Sequence, residues 1–88
     1  MSGIIGAQIP ELEHLQTSFQ RQSVTVSDLM TALSGDVDAT WWQGGAADRF
    51  RTAWESDFRP ALVRLEEALK DAGDEVGRRA QALIQVGS

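Results

Sequence analysis

Few residues in this chain could do covalent or proton-transfer chemistry. There is a single histidine, His14, and no cysteine. A Ser-His-Asp arrangement would therefore have to recruit His14. That residue lies between Leu12 and Leu15 near the start of an apolar repeat, where a structural or solvated histidine is the better reading. Asp36 and Asp38 open like a calcium loop, but the pattern then needs glycine at its sixth position and glutamate at its twelfth. Trp41 and Ala47 stand there instead. Asp71, Asp74 and Glu75 could gather round a cation, yet Arg78 and Arg79 follow within a turn and turn the cluster into a solvated, ion-paired helix face. Gly3, Gly6, Gly44 and Gly45 fit no phosphate-cradling spacing. We expect a chain that binds rather than catalyses, with no metal and no cofactor.

The tryptophans carry more information. There are three in 88 residues, and two of them, Trp41 and Trp42, are adjacent and lie just before Gly44 and Gly45. Neighbours on a helix end point about 100° apart, so both cannot enter one groove. The pair reads either as an aromatic anchor for a partner or as a plug for the end of the fold, and the two roles are compatible.

The elements that place these residues follow from composition and periodicity. A chain of 88 residues is one domain, and at this size a single core is marginal without a staple. Disulfides and a structural metal are excluded by the lack of thiols and of a ligand set, which leaves association with another chain. The net charge of −5 makes nucleic acid a poor partner. No run reaches the roughly 20 apolar residues that span a bilayer. Residues 1–9 lack a basic segment and a long apolar run, so no cleavable signal peptide is expected.

Residues 1–9 read as a loose arm, with Pro10 as a first helical residue and Glu11 and Glu13 in the favourable first turn. Leu12, Leu15, Phe19, Gln22, Val26, Leu29 and Leu33 then alternate in steps of three and four, the spacing of a helix packed along its length. The glycine pair marks a turn. Beyond it, Ala47, Phe50, Trp54, Phe58, Ala61, Leu65, Ala68, Ala72, Val76, Ala80 and Leu83 form a second stripe, flanked by Leu62 and Leu69. Pro60 interrupts this stripe without ending its period, which predicts a bend near residues 56–60. Gly73 and Gly77 are expected to loosen the last third. The spacing predicts an all-α antiparallel hairpin: helix 1 over about 9–39, a turn over about 40–45, and helix 2 over about 46–85. Two such rods would close into a four-helix bundle.

Trp42-Gln43-Gly44, followed by Ala46, Phe50 and Trp54, resembles the WXG family of small helical proteins, and the resemblance covers residues 8–86. It implies helical hairpins that pair as homodimers or heterodimers and leave the cell folded, without a cleaved signal, through a type VII secretion system and its membrane ATPase. It implies that Trp42 and Gly44 form the turn part of a composite export signal. Many relatives or their partners carry a tyrosine-containing tail motif, and this chain has no tyrosine. Either the tail sits on a partner, or the chain has been shortened, or the domain belongs to something larger. The first agrees with the need for a staple, so we expect a heterodimer with a paralogous WXG-type protein that supplies the tail, with a homodimer as the alternative. The expected dimer surface is Leu12, Leu15, Phe19, Val26, Leu29, Leu33, Phe50, Trp54, Phe58, Leu65 and Leu69. The functional expectation is a secreted, protein-binding molecule; the alternative is a targeting domain or chaperone-like adaptor for a larger secreted toxin or enzyme.

Overall fold

The computed structural model describes the backbone of residues 2–87 and the side chains of residues 8–86. Four helical segments follow one another: α1 (Ser2–Ala39), α2 (Gly45–Ala53), a π-helical turn (Trp54–Phe58) and α3 (Arg59–Gly87). No strand occurs among the described residues. The segments make two arms of one antiparallel hairpin, α1 against α2–π–α3, in a rod of 66 × 17 × 13 Å. Its radius of gyration is 19.7 Å, against about 12 Å for a compact chain of this length. An elongated hairpin has no enclosed interior, and the buried apolar side chains are only Ala47, Trp54 and Ala80 among the described residues.

Helix α1 begins at Ser2, and Pro10 lies inside it rather than at its start. Residues 2–9 contain no further proline, and extending a helix that already exists fixes one residue at a time, without a new nucleus. The proline forgoes one backbone hydrogen bond, while its fixed φ stays compatible with the helix.

Within α1, the row that faces the other arm is Ile9, Gln16, Ser23, Met30 and Val37, each half-buried or buried. The stripe expected from the alternating heptad is displaced from this seam. Leu12, Phe19 and Val26 lie about 40° round the helix from the seam and are half-buried. Leu15, Gln22 and Leu29 lie about 100° round and are exposed. The seam is narrow because its closest residues are small. Ser23 is 3% exposed and donates its hydroxyl to the carbonyl of Gln20 at 2.8 Å. A Cβ on Gly73 would stand 3.3 Å from Phe19 Cβ and 3.6 Å from the Gln16 carbonyl. One on Gly77 would stand 2.5 Å from Gln16 Nε2. These glycines do not loosen the helix as the sequence predicted; α3 continues through both, and they let the arms approach closely.

The second arm departs from its expected stripe at Pro60. The backbone N–H of Arg59 donates to the carbonyl of Trp54, five residues back, which widens the helix just before the proline. A proline ring crowds the carbonyl four residues earlier and offers no donor, so the extra residue in the turn absorbs the conflict. The register then skips. Ala47 and Trp54 are buried seven residues apart, and Leu62, Leu69, Val76 and Leu83 follow at steps of seven after a gap of eight. Ala61 and Ala68, assigned to the inner stripe from an unbroken period, are consequently exposed, and so are Phe58 and Leu65.

Candidate functional site: the tryptophan–glycine turn and the uncovered face

The turn is built by a sequence of small local constraints. Thr40 closes α1: its N–H and its hydroxyl both donate to the Asp36 carbonyl, at 3.0 and 2.6 Å. Gly44 opens α2 with φ 106° and ψ 176°, a combination of angles that is essentially restricted to glycine. Its carbonyl accepts the N–H of Asp48 at 3.1 Å, the first bond of the new helix. A Cβ at Gly44 would meet nothing within 4 Å. The requirement for glycine is therefore one of backbone angle, not of space.

The two adjacent tryptophans are sorted by this geometry. Trp42 is 43% exposed and packs on Phe50, with ring centroids 5.9 Å apart and planes tilted by 48°. Trp41 is 87% exposed. The plug and the projecting aromatic are thus two different residues. Arg51, in the last turn of α2, reaches back across the turn and donates to the carbonyls of Trp42 and Thr40 at 2.9 and 3.0 Å. Its role was not visible in the sequence, where both Arg49 and Arg51 follow the glycine pair and nothing marks which of them will reach back. Leu33, Asp36, Val37, Thr40, Trp42, Phe50 and Arg51 line a shallow cleft at this end of the rod.

From the tip, an apolar strip runs the length of one face. Phe50 packs against Phe58 at 6.4 Å between centroids. Eight residues span about 80° of an ordinary α-helix, and the extra residue of the π turn brings the two rings back onto one side. Leu65, Ala72 and Arg79 continue the Phe58 row at steps of seven. On α1, Leu33 borders the tip cleft beside Trp42 and Phe50, and Leu12 borders a second cleft with Arg79, Ala82, Leu83 and Val86 at the far end. Leu15, Leu29, Leu33, Phe50, Phe58 and Leu65 are all exposed, while Leu12, Phe19 and Val26 are half-buried at the edge of the seam. Two expected surface residues are placed differently. Trp54 is 7% exposed and is filled in by its own chain, and Leu69 is half-buried on the intrachain seam.

The residues weighed for chemistry are dispersed. His14 is exposed on α1. Glu75 accepts from Arg78 at 2.8 Å and from Arg79 at 3.0 Å. Hydrogen bonds from Arg78, then Arg79, hold its carboxyl below the usual carboxylate range. Lys70 pairs with Glu66 at 3.0 Å. No helix among the described residues is long and apolar enough to cross a membrane.

No curated protein and no solved structure matches the chain. One family model does, that of proteins of 100 residues with WXG, and it matches residues 5–87. The match runs through both arms and has at its centre the Trp42–Gly44 turn whose glycine is set by its backbone angles. The chain is therefore a member of the WXG100 family, a helical hairpin with its namesake motif at the bend.

Proposed function

We propose that this protein is exported folded through a type VII secretion system as one half of a dimer, and that it acts by binding other proteins. Family membership supports export and pairing with a WXG-type partner. The observation that carries the pairing is the uncovered apolar face. The chain exposes 6293 Å², roughly 1,200 Å² more than a compact monomer of its mass. A stable interface buries about 800 Å² on each partner, so covering this one face would account for most of the excess.

In this reading the partner is a second short hairpin. Leu15, Leu29, Leu33, Phe50, Phe58 and Leu65 form the centre of the contact, and Leu12, Phe19 and Val26 its inner border. A paralogous partner that brings a tyrosine-bearing tail is preferred, with a second copy as the alternative. The Trp42–Gly44 turn serves as its part of the signal read by the membrane ATPase. No catalytic role is assigned. Sedimentation of the purified chain, alone and with a co-expressed neighbouring hairpin protein, tests the reading. A dimer in either preparation is expected; a folded monomer at micromolar concentration in both would overturn it.

A further inference from the structure

The turn between Ala39 and Gly45 carries the recognition element, yet its own backbone does little to hold it. The helix-end bonds Thr40 N–H to Asp36 and Asp48 N–H to Gly44 lie at its two margins, with no further backbone pairing between turn residues 40–44. What spans the interior is Arg51. Its two terminal nitrogens donate separately, Nη1 to the Trp42 carbonyl at 2.9 Å and Nη2 to the Thr40 carbonyl at 3.0 Å. Those carbonyls bracket the Trp41–Trp42 pair. Fixing both therefore fixes the peptide that throws Trp41 outward and turns Trp42 back onto Phe50. The planar fork presents two donor nitrogens at a fixed separation, one to each carbonyl; an ammonium has three donors, but all on one freely rotating nitrogen, and cannot reproduce that spacing.

We propose that Arg51 is the positioning residue of the Trp42–Gly44 turn: by clamping the carbonyls of Thr40 and Trp42 it sets which tryptophan packs and which projects, and export depends on it. The inference rests on the turn being part of an export signal. Arg51 acts here through Trp42 and Trp41, not by touching the export machinery itself.

The test compares full-length R51A, R51K and W42A with the parent chain. Nuclear Overhauser contacts between the Trp42 indole and the Phe50 ring report the positioning in the parent and both Arg51 variants. The secreted fraction in a host carrying the type VII system reports export, and circular dichroism with thermal melting reports the fold. The expected result is loss of the Trp42–Phe50 contacts in R51A and in R51K alike, with helicity and melting kept. Secretion should fall about tenfold in both, as in W42A. A merely structural arginine would instead lower the melting temperature without separating the lysine variant from the parent. Retained ring contacts in R51A would overturn the proposal, as would export of R51A at the parent level while W42A is blocked. If W42A itself is exported normally, the underlying reading of the turn fails and this inference fails with it.

Discussion

At the scale of single residues, the turn is governed by two side chains and one backbone angle. Gly44 occupies φ 106° with open space around its missing Cβ, so replacing it by alanine adds no clash. The whole cost is conformational, about 1–3 kcal/mol. Urea unfolding of G44A at fixed protein concentration should show that loss with the helical signal of the folded state intact. An unchanged midpoint would mean that the turn relaxes freely. Ser34 makes a second, opposite case: its hydroxyl is buried without a hydrogen-bond partner. S34A removes an unsatisfied group and improves helix propensity, and should stabilise the chain by about 0.5–1 kcal/mol in the same experiment. Glu75 is the charged residue with a defined bias. Its folded-state pKa is depressed, so any stabilisation it provides is present above the unfolded value and fades as pH falls through the folded one. The group is solvent-exposed, so the effect is screened and should disappear in high salt.

At the scale of elements, the sequence pattern and the structure disagree where small residues and proline intervene. A heptad search rewards large apolar residues, so it selects the Leu12–Leu33 alternation and passes over Gln16, Ser23 and Met30. The arms nevertheless meet along the latter row, because Ser23, Gly73 and Ala80 permit the closer approach. The two glycines of α3 respond differently to a methyl group. At Gly77 the neighbour is the end of the flexible Gln16 side chain, which can swing away, and G77A should gain up to about 1 kcal/mol of helix propensity. At Gly73 the neighbours include Phe19 Cβ and a backbone carbonyl, which move only with the whole arm. G73A should therefore gain less than G77A, and G73L should lose about 1–3 kcal/mol through overpacking. Comparing the melting curves of the three variants checks this order; equal gains for both alanines would place the seam elsewhere. The π turn belongs to the same level. Pro60 announced a distortion, but the change of register was readable only in the eight-residue step from Trp54 to Leu62, which an averaged period of 3.6 smooths over.

At the scale of the whole molecule, the prediction concerns which side of the rod a partner covers. Leu29 and Leu65 lie on the uncovered strip, whereas Val24 is exposed about 100° to the other side of the seam from it. L29D and L65D would bury an unpaired carboxylate in the proposed contact and should weaken the dimer by about 3 kcal/mol or more. V24D should leave it unchanged. Sedimentation equilibrium at several concentrations separates these outcomes, and equal effects of all three substitutions would remove the facial assignment. An interface of this composition should also persist in high salt, since it rests on apolar burial rather than on charge.

The hairpin, its bend at the glycine pair and the motif itself were all legible from residue order. Periodicity and backbone-breaking residues act locally, and an 88-residue chain with two apolar stripes has few ways to arrange them. Only the folded molecule decided which stripe each arm turns inward, that Phe58 and Leu65 are surface, and that Arg51 grips the turn. Those outcomes depend on how closely two helices can approach and on where one inserted residue shifts the register. The first is set by pairs of side chains far apart in sequence; the second is local to Pro60, but its effect shows only in which later residues meet the other arm.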